Sequence, residues 1–239
     1  MPVWSAHFAQ PLLAAFRRDR VTGRVGAGAR VLDAGCGVGY PAAELAARYP
    51  DLRLEALELW PPALARARAR GLNARRGDLL GWQAPPYDAV VANVCINTID
   101  DRTAAAAALA RLLRGGGRLY VTTTLRGTLR ALDRAAERIC RVRGVVERMQ
   151  EHRFTAFALR QAFSGGAFGE LAIEIGRFAL RYESGTAMTQ SPPIRIAYEP
   201  RYRRLLGDDG WTRLVDVLDR EGGITLEVPF ALLTATRLA

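Results

Sequence analysis

Between Ala29 and Leu125 the apolar positions switch period repeatedly, from short continuous runs to i, i+3, i+4 spacing and back. "ARVLDAG", "LRLEALEL", "LNARRGDLL", "YDAVVANVCI" and "RLYVTTTL" read as five short strands. "YPAAELAARYP", "PPALARARARG" and "DRTAAAAALARLLRGGG" read as the helices among them. Pro62 sits in a first turn, Gly71 lies past a helix end, and Gly115 to Gly117 are expected to stop the third helix. Strands alternating with helices imply parallel pairing, because parallel neighbours need long crossovers. The expectation is a doubly wound α/β sheet covered by helices on both faces.

The flanks follow other patterns. "FAQPLLAAFRRDRV" places Phe8, Leu12, Leu13 and Phe16 on one helical face, with Pro11 tolerable near the start. A joint of Gly23, Gly26 and Gly28 follows, so residues 1–28 are expected to form an N-terminal helical arm and 29–239 the main domain. After Leu125, "GTLRALDRAAERICRVRGVVERM" predicts one long helix and "FTAFALRQAFSGG" a shorter one. "FGELAIEIGRFALRYES" predicts a strand. Residues 185–210, with "SPP" and "YEPRYRRLLGDDG", predict an irregular insertion holding one short helix. "WTRLVDVLDREGG" and "ITLEVPFALLTATRL" close the chain as a helix and a last strand.

Length and apolar content suit one sizeable core, and no apolar run approaches a membrane span. The start, "MPVWSAHFAQ", lacks a signal-peptide layout. Cys36, Cys95 and Cys140 lie far apart with no CxxC, so neither a disulfide framework nor a zinc site is suggested, and a cytoplasmic location is expected. The net charge is +10, and all 34 basic residues are arginine. They are spread over several predicted helices rather than gathered, which argues for a solvated surface and against a nucleic-acid footprint.

Chemistry concentrates in "VLDAGCGVGYPAAELA". Gly35 and Gly37 remove side chains that would hold a ligand off the backbone, and the helix beginning near Pro41 offers unpaired N–H groups. Open α/β sheets bind ligands at this position, beyond the carboxyl end of the first strand. A dinucleotide fingerprint needs a small residue where Tyr40 stands, and Asp33 opposes a pyrophosphate but suits a cation. A phosphate loop ending in Gly-Lys is excluded because the chain has no lysine.

From Ala29 to about Leu125 these blocks resemble the class I S-adenosylmethionine-dependent methyltransferases. The first motif of that family resembles "VLDAGCGVG", with Asp33, Gly35, Cys36, Gly37 and Gly39 at its positions. The resemblance implies that Glu58, followed by Leu59, holds the cofactor ribose. It places Asp78 and Leu79 near the adenine, and Asn93 and Val94 at the cofactor-facing turn after the fourth strand. It further implies a Rossmann-like, seven-stranded, mostly parallel sheet with an antiparallel last strand, a helical lid over 127–164, and S-adenosylmethionine as cofactor.

No catalytic signature stands out. Methyl transfer from a sulfonium needs mostly in-line placement, and a carboxylate acceptor needs no base. His7 and His152 are the only histidines and hence the candidate bases. "ANVCIN" stands where amino-methylating relatives carry an NPPY or DPPY tetrad, which points to the small-molecule branch. The second half is distantly similar to malonyl–carrier-protein O-methyltransferases. That likeness implies a carboxylate or carrier-linked acyl acceptor, an acyl carrier protein as partner, and anion contacts from Arg126, Arg195, Arg201, Arg203 and Arg204. Tyr40 and Asn97, with Arg126 and Arg195, are the candidate acceptor contacts. Aromatic residues in the predicted lid segments (Trp4, Phe8, Phe154, Phe157, Tyr198, Tyr202) suit an apolar cavity. The expected assembly is a monomer or homodimer. Two other readings are a tRNA or rRNA methyltransferase, which would bind RNA with steep salt dependence, and a non-catalytic cofactor-binding scaffold.

Overall fold

A computed structural model describes residues 4–239. The strands are β1 (Arg30–Ala34), β2 (Arg53–Glu58), β3 (Ala74–Arg76), β4 (Tyr87–Asn93), β5 (Leu113–Thr124), β6 (Phe168–Tyr182) and β7 (Ile224–Arg237). They form one seven-stranded sheet in the order β3-β2-β1-β4-β5-β7-β6. β1 runs parallel to β2, with Val31 beside Leu54, and parallel to β4, with Val31 beside Ala89. β4 runs parallel to β5, and β7 lies antiparallel to β5, with Val121 beside Leu233. The reversed last strand expected from the sequence is therefore present. Nearly every residue of β4 is buried, as a central parallel strand covered on both faces requires.

The helices are α1 (Trp4–Val21), α2 (Tyr40–Arg48), α3 (Pro61–Ala69), α4 (Arg102–Leu112), α5 (Arg130–Cys140), α6 (Val145–Gln150), α7 (Ala156–Phe163), α8 (Gly185–Gln190) and α9 (Glu199–Arg220). Among the described residues, no helix is long and apolar enough to cross a membrane. By internal contacts the chain divides into two units. The first holds the described residues up to Thr124 with Phe154–Gly176 and Phe230–Ala239, and the second holds Leu125–Arg153 and Arg177–Pro229.

In the first unit, α1 is a core element. Phe8, Leu12 and Phe16 are fully buried, whereas Leu13 is only partly so. Phe16 meets the rings of Tyr120 at 5.4 Å and Tyr49 at 5.8 Å, and Phe8 meets Phe230 at 5.6 Å. Near the end of α1, buried Asp19 accepts from Arg118 Nε at 2.7 Å and from the Tyr120 hydroxyl. Arg118 also reaches Thr236 and Glu170, and Glu170 pairs with Arg24 at 2.5 Å. This network ties α1 to β5, β6 and β7. Asp101 caps α4 by accepting from the Ala104 N–H at 2.8 Å.

Four sequence expectations change. Of "LNARRGDLL", only Ala74–Arg76 is strand. α4 ends at Leu112, before the glycines expected to stop it, and Gly115 to Gly117 belong to β5, where the register against β4 shifts. The long helix after Gly127 is broken into α5 and α6, because Arg141 (φ 55°) and Gly144 (φ 76°) take the left-handed conformation. Residues 185–210 are largely helical rather than irregular. Ser184 caps α8, a π turn spans Ile194–Tyr198, and α9 runs on to Arg220. Pro200 lies in the first turn of α9, where a missing N–H costs no bond, and Gly207 absorbs a kink at φ 73°.

If α1 is part of the core, Phe16→Ala should lower unfolding stability by about 3–5 kcal/mol, as deletion of a buried ring does. Urea unfolding of both proteins measures this. A cost below about 1 kcal/mol would mean that α1 is a detachable arm.

Candidate functional site

β1 and β4 are neighbours, but the chain leaves β1 toward β2 and β3 before it returns to β4. The loops at the carboxyl ends of β1 and β4 therefore diverge, which makes this the ligand position of an open α/β sheet. The loop after β1 lies against the one after β4. A Cβ on Gly35, whose φ is 68°, would sit 2.3 Å from Cys95 Sγ, so no side chain fits there. Gly37 is held at φ 57° with nothing within 4 Å of its Cβ position, leaving bare backbone beside open space. Gly39 occupies the N-cap position of α2 and is buried.

Glu58, at the end of β2, spans two loops. Its Oε2 accepts from the Gly37 N–H at 2.7 Å and its Oε1 from the Trp60 N–H at 2.8 Å. Asp78 follows β3 and accepts from the Leu80 N–H at 3.0 Å. Leu79 is buried in the core, whereas Leu59, Trp60 and Leu80 expose apolar surface next to Glu58 and Asp78.

Asp33 is the unusual member. It is fully buried at the end of β1, and neither carboxylate oxygen has a hydrogen-bond partner among the described residues. The Ala42 N–H approaches closely enough to favour the ion a little, though not in hydrogen-bond geometry. Burial, with Glu58 nearby, pushes its pKa up to about 7. Convergence of the acids is visible at Cys95, whose thiol is pushed up to about 12 by burial and then by Asp33, Glu58 and Asp78. Burial likewise raises the Cys36 thiol.

Asn93 and Val94 end β4. The Asn93 amide donates to Ser5 O at 3.0 Å, and its Oδ1 accepts from the Thr122 hydroxyl at 2.7 Å, so this side chain is committed to α1 and β5. Val94 holds φ 58°, a strained conformation for a β-branched residue that costs roughly 1–3 kcal/mol and is characteristic of functional turns. Asn97 is likewise engaged, with Thr123 and Thr124. The Tyr40 hydroxyl accepts from Gln10 at 3.4 Å. His7 lies on α1, where partial burial lowers its pKa. Arg126, His152 and Arg195 belong to the second unit and are exposed, with His152 paired to Glu151 at 2.9 Å. The acids, the glycine loop and Cys95 are thus brought together. Cys95, Trp60 and Leu80 were not singled out from the sequence, where nothing distinguishes them from core residues.

The Asp33 shift fixes a sign for stability. The folded chain keeps a proton on Asp33 up to about pH 7, whereas the unfolded chain releases it near pH 4. Folding stability therefore falls as pH rises through that window, and the penalty is complete above it. Asp33→Asn should melt higher than the parent at pH 8, by an amount on the order of 4 kcal/mol. The advantage should shrink toward zero at pH 4. A difference that stays constant between the two pH values would remove the buried charge as its cause.

Residues 31–117 match a family model described as a methyltransferase domain. A ubiquinone biosynthesis O-methyltransferase of Xylella fastidiosa (strain M23) is 35% identical over 133 residues, covering 50% of this chain and 53% of that protein. A trans-aconitate 2-methyltransferase of Mycobacterium tuberculosis (strain ATCC 25177 / H37Ra) is 39% identical over 75 residues, covering 31% of this chain and 29% of that protein. The chain thus spans about half the length, or less, of the curated relatives it matches. Among solved structures, the YcgJ protein of Bacillus subtilis aligns with a TM-score of 0.61 at 16% identity, over 95% of this chain and 98% of that one. Phosphoethanolamine N-methyltransferase 2 of Haemonchus contortus, in complex with S-adenosyl-L-methionine, aligns at 0.60 and 15% identity, over 96% and 52%. At such identities the likeness is one of fold. The matched segment, Val31 to Gly117, is similar to a methyltransferase domain, and the sheet order and the glycine loop agree with that likeness.

Proposed function

We propose that this protein transfers a methyl group from S-adenosylmethionine to a small molecule. The observation that carries this reading is Asp33, a buried carboxylate without a partner beside a loop of bare backbone. Such a group is expensive to keep unless a cation meets it. An ammonium group offers the missing charge and donors, whereas a pyrophosphate would add repulsion.

The residues present fit the cofactor. Asp33 would take the amino group of its methionine part, and the open backbone at Gly37 would lie beside it. Each Glu58 oxygen accepts one N–H and keeps a lone-pair direction for a ribose hydroxyl. Asp78 suits the adenine amine, and Leu59, Trp60 and Leu80 offer apolar faces for the ring. When bound, the cofactor supplies an electrophilic methyl on a positively charged sulfur. The part left to the chain is placement: aligning the acceptor and excluding water. A carboxylate or carrier-linked acyl acceptor would need no base. The names of the relatives, a ubiquinone-pathway O-methyltransferase and a trans-aconitate methyltransferase, support a small acceptor. Arg126 and Arg195 are proposed to meet its acidic end.

Calorimetric titration should show S-adenosylhomocysteine binding at micromolar order, roughly −8 kcal/mol. Glu58→Ala should weaken it about tenfold or more, the worth of a hydrogen bond to a charged acceptor. Asp33→Asn should bind less tightly despite its gain in stability. Preferential binding of NAD or FAD would overturn the cofactor assignment.

In methylation assays on small carboxylic acids, Arg126→Ala and Arg195→Ala should raise KM and leave cofactor affinity unchanged. If both variants methylate normally and structured RNA is the preferred acceptor, the small-molecule reading fails.

A further inference from the structure

In the second unit the two Nη nitrogens of one guanidinium are buried without an acceptor among the described residues. Arg153 follows α6, and its Nε donates to Met149 O at 3.1 Å. Both Nη nitrogens are out of reach of water, and neither has a hydrogen-bond partner among the described residues. The group lies 5.4 Å from the centre of the Tyr198 ring, so one face is covered by an aromatic surface while the outer edge of the fork is left unsatisfied.

The surrounding groups leave the Nη edge without an acceptor among the described residues. Asp133 is the buried carboxylate nearest in influence, but its two oxygens are already taken. Oδ1 accepts from the Tyr202 hydroxyl at 2.5 Å and Oδ2 from the Gln150 amide, which also donates to Thr128 O at 3.0 Å. Burial raises the Asp133 pKa and the nearby Arg153 charge lowers it, so the two groups feel each other without a hydrogen bond between them. Arg201, close enough to influence Tyr198, adds positive rather than negative potential. Tyr198 ends the π turn Ile194–Tyr198, an irregularity that recurs at functional sites. The contrast with Arg118 is instructive, since that buried guanidinium is met by Asp19, Thr236 and Glu170.

Buried N–H groups without acceptors are costly, the more so on a charged group. Two adjacent unsatisfied Nη groups in one plane form the fork that carboxylates and phosphates fill with two parallel hydrogen bonds. We propose that Arg153 is the receptor of an oxyanion-binding site in the second unit, for a small molecule carrying a carboxylate or phosphate group. All the groups that define it belong to that unit, and it goes beyond the methyl-transfer reading without depending on it.

Titrating the full chain with succinate and, separately, with inorganic phosphate at constant ionic strength tests this. At least one should bind saturably with one-to-one stoichiometry, where chloride does not. The arm that binds identifies the ligand group. Arg153→Gln should weaken that binding about tenfold or more, while S-adenosylhomocysteine titration, which reads the first unit, stays as in the parent. Should Arg153→Gln fail to fold, Arg153→Lys keeps the charge and loses the fork, and it should lose most of the anion-dependent rise in melting temperature. Neither anion binding better than chloride, or undiminished binding in both variants, would overturn the proposal and leave Arg153 a structural residue.

Discussion

The glycine-loop end of the sheet is organised around a buried carboxyl that has no hydrogen-bond partner among the described residues. Asp33 belongs to β1, whose neighbours on both sides are parallel strands, so its side chain is withdrawn from water by the element that carries it. The glycine loop cannot move away to admit solvent, because Gly35 lies against Cys95 and Gly37 is anchored to Glu58. Glu58 in turn fixes the start of α3 through the Trp60 N–H. Three carboxylates thus converge on the space around one thiol, and the cost of gathering them is carried by the rest of the first unit.

That cost is sustainable because the same unit is well satisfied elsewhere. α1 buries three large side chains, and its last turns are joined to β5 through Asp19, Arg118 and Tyr120. Asn93 and Thr122 tie β4 to β5 and to the first turn of α1, beside the strained Val94. A rigid frame is what allows an unpaired charge and a left-handed valine to persist, since a softer one would relax them. Site strain and frame stability are two sides of one design.

The second unit uses polar groups differently. Asp133, Gln150, Tyr202 and Thr128 form a closed buried network, and Tyr202 stacks on Trp211 with centroids 5.5 Å apart. Beside that closed set, Arg153 stands open at its Nη edge. Among the described residues, each unit therefore keeps one buried ionisable group with polar atoms that lack a hydrogen-bond partner, a carboxyl in the first and a guanidinium in the second.

The reversed β7 was expected only from the methyltransferase resemblance. The amino-acid sequence by itself determined the alternation of β1 to β5 with their helices and the positions of Asp33, Glu58 and Asp78 at strand ends. These follow from local periodicity and from spacings that one strand–helix–strand unit imposes. Tertiary structure alone decided the rest. "RVRG" broke a continuous helical pattern because Arg141 and Gly144 adopt left-handed conformations, while "SPP" and "GDDG", read as breakers, were absorbed by a helix start and a kink. Leu79 turned inward and Leu80 outward, although the two are alike in sequence. Whether a buried guanidinium finds acceptors depends on residues far along the chain: Arg118 donates to Asp19, ninety-nine positions away, and the Arg153 Nη groups donate to none of the described residues. Pairing of that kind is set by the distances between packed elements, which no local pattern encodes.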